Sequence, residues 1–222
     1  MDYKNLIKRS VTSLLFFILI FLIFFFLEKY VFIFLALIFC IILYEIFNNF
    51  KKNTLFIYFY IFTSLACCLT YFSFFYDKYF FMFTIFLIIS FDVFAYLFGS
   101  LFGKKRITPN ISPNKTYFGF YASFLLTVFF ALIINDYLNL YSVLFLLIYS
   151  SIIIIFSFIG DILQSFFKRN SQLKNSSNII PGHGGFFDRF DSFLMVIIII
   201  IPISFFLWKK KILLTYMEVL EI

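Results

Sequence analysis

Seven apolar runs, nearly free of charge, leave this chain few ways to fold. They lie near residues 11–27, 30–47, 55–76, 79–98, 118–134, 141–160 and 193–208. At about 1.5 Å of rise per residue, a run of roughly 18 or more residues reaches across a hydrocarbon core of about 30 Å. Within lipid, backbone polar groups must be satisfied inside their own segment, which selects helices over open strands. Composition agrees: 64% of the residues are hydrophobic and 13% charged, where a soluble domain carries about 25% charged residues. The expected fold class is all-α, a polytopic integral membrane helical bundle of about seven transmembrane helices. The first and last runs are short. Lys4, Lys8 and Arg9 precede the first run as in a signal peptide, but no small-residue cleavage site follows, so it is read as a retained span.

Basic residues orient the spans. With the N-terminus in the cytoplasm, thirteen Lys and Arg fall on cytoplasmic segments and five on the other side, as the positive-inside rule requires. The expected location is a multi-pass place in the inner cell membrane, with the bilayer as a partner and no nucleic acid. A charged tail, 209–222, follows the last span and is the misfit in this count. Two long polar stretches, 99–117 and 161–192, fall on the cytoplasmic side, and loops held by a rigid scaffold are where function concentrates. The chain therefore divides into scaffold helices, 1–90, and a C-terminal region, 91–222, that carries the chemistry. Cys40, Cys67 and Cys68 sit inside apolar runs and have no disulfide or zinc spacing.

Two polar constellations stand out. Asp92, Ala95, Tyr96 and Gly99 share one helix face at i, i+3, i+4 and i+7. An ionisable residue at the depth of Asp92 must face protein, water or a cation. Beyond it come Gly103, Lys104, Lys105 and Arg106, then Ser112, Pro113, Lys115 and Thr116. The glycine spacing is one residue short of a Walker A loop, and no Ser or Thr follows the first Lys. The Lys-Lys-Arg run is open to a topological or anionic-lipid role.

In the second constellation Asp161, Gln164, Ser165 and Lys168 share a helix face, Arg169 and Lys174 follow, and the chain then reads His183-Gly184-Gly185-x-x-Asp188-Arg189-x-Asp191. Asp188 and Asp191 are one helical turn apart, so both carboxylates are placed to approach one cation. Oxygen-only ligands suit magnesium, which usually keeps several waters and bridges to substrate phosphates. His183 is the chain's one histidine, which argues against zinc; it either hydrogen-bonds its loop or touches substrate. The chain has no Gly-x-Ser-x-Gly elbow, which sets a serine hydrolase aside.

Ser165-x-x-Lys168-Arg169, Lys174 and the His183-to-Asp191 block closely resemble the signature of the phosphatidate cytidylyltransferases. Asp92-x-x-Ala-Tyr-x-x-Gly99 and Pro109-x-Ile-Ser112-Pro113-x-Lys115-Thr116 resemble that family's upstream block. The resemblance covers about 92–192. It implies transfer of CMP from CTP to phosphatidate, with Mg2+ as cofactor, in a helical membrane bundle that forms a homodimer. It also implies site residues. Asp161, Lys168, Arg169, Asp188 and Asp191 are expected to be catalytic, with Asp161, Asp188 and Asp191 holding the metal. Asp92, Tyr96, Ser112, Lys115, Ser165, Lys174, His183, Gly184, Gly185 and Arg189 are expected to bind substrate. Three positions depart from the pattern: Phe118, Gln164 and Asn175 stand where the family usually has carboxylates. The alternatives are another CTP-dependent membrane lipid enzyme, of the polyprenol kinase or CDP-archaeol synthase type, or a degenerate copy.

Overall fold

The computed structural model describes residues 30–138, 141–180 and 184–220, with side chains as far as residue 207. The expected first span, 11–27, lies outside the described residues. Among them the chain forms α1 (Val31–Asn49), α2 (Thr54–Thr70) with a π-helical extension (Tyr71–Phe75), and α3 (Lys78–Phe102). A hairpin of β1 (Arg106–Thr108) and β2 (Ser112–Thr116) follows, then α4 (Tyr117–Leu138), α5 (Val143–Asn170) and α6 (Phe187–Leu220). All six helices contain a stretch long and apolar enough to cross a membrane. Their outer faces show large apolar side chains, such as Leu55 at 80%, Phe47 at 77% and Phe59 at 73% exposure. A soluble monomer avoids such surface, and lipid solvates it. The chain is a multi-pass membrane protein.

Local chemistry sets several helix ends. The Asp77 carboxylate accepts the Phe80 N–H at 2.9 Å and so caps α3. Asn53, in the left-handed conformation at φ 55°, turns the chain into α2. The π-helical turn at the other end of α2 brings Tyr71 inward, where it is fully buried against Phe81.

The core runs along the bundle axis, with Phe39, Ile42, Phe81, Leu87 and Tyr149 fully buried. The Thr84 and Tyr149 hydroxyls pair inside it. Ser64 Oγ donates to the Leu194 carbonyl at 2.9 Å and ties α2 to α6. In lipid, small residues let helix backbones approach and polar groups join them. Gly119 of α4 packs on α3 so closely that a Cβ there would lie 2.9 Å from the Ala95 carbonyl oxygen and the Gly99 Cα. Gly160 does the same between α5 and α6: a Cβ would lie 2.7 Å from the Asp191 carbonyl oxygen and from Met195 Cβ. Gly160→Ala should therefore push α6 away from α5 and lower thermal stability in detergent by about 1–3 kcal/mol, the usual cost of overpacking. A scan that matches the wild type would show that this crossing is loose.

The polar stretches are more regular than the sequence suggests. The stretch 99–117 is mostly the β1–β2 hairpin, antiparallel with Arg106 opposite Thr116 and Thr108 opposite Ser112. In the stretch 161–192, α5 continues to Asn170 and α6 begins at Phe187, which leaves a strap between them, described at 171–180 and 184–186. The last span runs from Phe187 to Leu207 rather than from 193. The segment expected as a tail continues α6 as helix to Leu220.

Candidate active site

One end of α3, α5 and α6, the hairpin and the strap surround a cavity of about 710 Å³, within the usual range of small-molecule sites. The walls come from both constellations. Four carboxylates, Asp92, Asp161, Asp188 and Asp191, line it together with five basic side chains, Lys115, Lys168, Arg169, Lys174 and Arg189. Tyr96, Ser112 and Ser165 line it as well. Gly184 and Gly185 do not, and His183 lies outside the described residues.

The acidic wall is built where α3, α5 and α6 converge. Asp92, exposed to the cavity, stands with Asp161 and Asp191 close enough for the three charges to act on one another and on Lys115. Lys115 Nζ lies 2.6 Å from Asp161 Oδ2 and 4.4 Å above the centre of the Phe158 ring. Ser165 Oγ donates to Asp161 Oδ1 at 3.5 Å. Asp191 Oδ1 accepts the Ser192 N–H at 2.8 Å. Beside this wall Phe91 packs edge to face on Phe120 and on Phe158, whose own rings are tilted and centred 4.7 Å apart.

Asp188 faces a different set of partners. Its Oδ1 accepts Lys168 Nζ at 2.7 Å and Gln164 Nε2 at 2.9 Å. Its Oδ2 accepts the Ser176 N–H at 2.8 Å, Ser176 Oγ at 3.0 Å and the Gly185 N–H at 3.1 Å. Asp188 and Asp191, expected to share one cation, have different hydrogen-bond partners in the structure. Asp188 sits in the first turn of α6 and bends back onto the Gly185 amide just before the helix and the Ser176 amide of the strap, while Asp191, one turn on, stays with Asp92 and Asp161. Lys168 is thus a partner of Asp188. Arg169 braces the strap and hairpin, donating from Nε to the Ile111 carbonyl at 3.2 Å and from Nη1 to the Leu173 carbonyl at 3.1 Å.

The two glycines serve the strap. Gly184 has φ +86°, and a Cβ there would lie 2.6 Å from Asp188 Oδ2, so both backbone and space select glycine. A Cβ on Gly185 would strike Ser176 Oγ and the carboxylate of Glu45. Glu45, on α1, and Ser176 were not among the residues singled out from the sequence. The available signal was a lone carboxylate two residues from the end of the apolar run 30–47.

The three departures have different surroundings. Gln164 is fully buried and gives Asp188 a hydrogen bond that a glutamate could not; its own Oε1 is buried without a partner. Asn175 lines the cavity. Phe118 is half exposed beside Phe102, centroids 5.6 Å apart.

Among the described residues no three His, Cys, Asp or Glu side chains form a ready metal centre. Magnesium does not need one, because it commonly binds through one or two carboxylates and completes its shell with water and substrate phosphate. Asp92, Asp161 and Asp191 fit that requirement. They offer oxygen donors that line one cavity, with Lys115 paired to Asp161. Asp188, already holding five donors, does not fit.

Comparison with known proteins agrees with this geometry. Residues 54–207 match the model of the cytidylyltransferase family. Over 107 residues, 48% of this chain, it is 42% identical to a protein of Staphylococcus epidermidis named phosphatidate cytidylyltransferase, and the match covers 41% of that protein. A Bacillus subtilis protein of the same name is 40% identical over 114 residues, 51% of this chain and 41% of its own length. A Staphylococcus aureus protein of that name is 39% identical over 107 residues. The chain spans about two fifths of the length of the curated relatives it matches, at 41%. The family match takes in α2 through the last span, hairpin and strap included, and on that ground the chain belongs to the cytidylyltransferase family.

Proposed function

We propose that the protein transfers CMP from CTP to phosphatidate, giving CDP-diacylglycerol and pyrophosphate. The observation that carries this reading is one cavity, at the end of a membrane bundle, lined by four carboxylates and five basic side chains. A site with both signs of charge suits a reaction that joins two phosphate-bearing substrates with the help of a cation. The apolar wall of Phe91, Phe120 and Phe158 lets an acyl-bearing headgroup reach that chemistry from the bilayer.

The bond changes are simple. A phosphatidate phosphate oxygen attacks the α-phosphorus of CTP, the bond to the β-phosphate oxygen breaks, and pyrophosphate leaves with the electron pair. The attacking oxygen is already ionised near neutral pH, so no strong general base is required. The protein's task is to hold two anions together in line. Lys174 and Arg189, which both line the cavity, receive phosphates, Arg189 with a forked donor set. Lys168 contributes positive charge while Asp188 fixes its position. Arg169 keeps strap and hairpin closed over the site. Asp92, Asp161 and Asp191 would hold Mg2+, which supplies charge neutralisation at the phosphates when bound. Lys115, against Asp161, keeps these carboxylates from repelling one another before substrate arrives.

The cavity is placed on the cytoplasmic side, where CTP is found. The positive-inside count supports this, as does the Ser171 hydroxyl, which donates to the Lys52 carbonyl at 3.4 Å and puts the basic α1–α2 turn at the same end as the strap.

The test is conversion of labelled CTP and phosphatidate by the purified, lipid-supplemented protein, with magnesium and with a chelator. Product that disappears with chelator and returns with magnesium is expected. A folded sample that makes no product from phosphatidate removes this acceptor, and the same assay with a polyprenol or an ether lipid then decides among the relatives of this reaction.

A further inference from the structure

We propose that Glu45 is a positioning residue for the reaction site, acting from a helix that lies outside the family match of 54–207. Glu45 does not line the cavity. It is 1% exposed, inside an apolar helix, where an ionised carboxylate is tolerated only if its oxygens are satisfied. They are. Oε1 accepts the Phe186 N–H at 2.7 Å and Ser177 Oγ at 2.8 Å. Oε2 accepts the Phe187 N–H at 3.0 Å and Ser176 Oγ at 3.1 Å. Two of these donors are amides at the start of α6, which lack helical acceptors and form the positive end of its dipole. The other two belong to the strap. One side chain therefore fastens both the strap and the first turn of α6 to α1.

This fastening bears on the site because α6 carries Asp188, Arg189 and Asp191 within its first turns. The Ser176 hydroxyl has a single proton and stands between Glu45 Oε2 at 3.1 Å and Asp188 Oδ2 at 3.0 Å. Through it, the carboxylate that holds the strap is joined to the carboxylate that holds Lys168. Gly185 leaves room for this arrangement, since a Cβ there would meet both Glu45 oxygens and Ser176 Oγ. Glu45 sets the height of the α6 start relative to α5, and with it the places of Lys168 and Asp191 in the cavity. The inference rests on reading this cavity as the reaction site.

The test compares the wild type with Glu45→Gln and Ser177→Ala in detergent, by amide hydrogen exchange along the chain and by kcat and KM for CTP. Gln keeps the size but puts an NH2 against backbone donors. Exchange should quicken at least about tenfold in residues 176–188 while α3, α4 and α5 remain as in the wild type. With it, kcat should fall about 10- to 100-fold and KM for CTP should change less than about threefold, as expected when prearranged groups are displaced rather than removed. Ser177→Ala should give the same pattern at smaller size, and it decides the matter if Glu45→Gln does not fold. Wild-type exchange in the strap overturns the proposal. So does a rise spread evenly over all helices, which would make Glu45 a residue of general stability. If the wild type itself does not convert CTP, the proposed reaction fails separately, and the exchange pattern alone decides whether Glu45 holds the strap.

Discussion

Asp191→Asn should fold and insert as the wild type does, yet turn over about 100- to 1,000-fold more slowly, the range seen when one prearranged electrostatic group is removed from a site. Folding should survive because the structural duty of this side chain is small. Its Oδ1 accepts the N–H of Ser192, its own neighbour, and an asparagine oxygen can do the same. What the variant lacks is a negative charge beside Asp92 and Asp161, on the wall where the donor set suits a divalent cation. The residual activity should also need more magnesium. Specific activity against magnesium concentration, alongside a thermal scan, checks both statements. Activity within tenfold of the wild type, at unchanged magnesium demand, would take Asp191 out of the cation set.

Asp188→Asn should fail in another way, losing activity by a similar factor and stability as well. The wild-type carboxylate receives Lys168 at 2.7 Å, with the two side chains 9% and 13% exposed. Breaking such a mostly buried pair from one side costs about 3–5 kcal/mol, because the lysine charge is left without its partner. An asparagine NH2 would also have to face either Lys168 and the Gln164 amide or the N–H groups of Ser176 and Gly185. Both choices set donor against donor. The melting temperature should fall, and protease should cut within the strap at 171–186 under conditions that leave the wild type whole. An Asp188→Asn protein with wild-type melting and an intact strap, but a raised magnesium demand, would return Asp188 to the metal set.

The contrast between these two aspartates shows where reading the sequence stops. Their spacing of three puts them on one helix face, and that much was legible. Which partners each one meets depends on the helix beginning at Phe187, so that Asp188 reaches back to the Ser176 and Gly185 amides and Asp191 does not. The apolar runs gave five of the six described spans to within a few residues at their starts. The sixth begins earlier than expected because the polar Asp188, Arg189 and Asp191 interrupt the hydropathy without interrupting the helix. The continuation of α5 through Lys168 was legible from the shared helix face of Asp161, Gln164, Ser165 and Lys168, although the apolar run itself ends at 160. The hairpin was illegible because its strands are short and polar. Glu45 was passed over because nothing within its own segment gives a reason for it. All four of its donors lie more than 130 positions away, from Ser176 to Phe187.

That separation has a consequence for the making of the protein. Helix α1 precedes in synthesis the strap and α6, whose residues satisfy its carboxylate. Until α6 is made, Glu45 lacks the four donors that satisfy it in the folded chain, and an ionisable side chain near a helix end is then best served by water at the headgroups. The arrival of Ser176, Ser177, Phe186 and Phe187 then draws it into the bundle. The cavity is therefore completed only once α6 is in place, and a chain interrupted before α6, though already threaded through the bilayer, has no assembled site to expose.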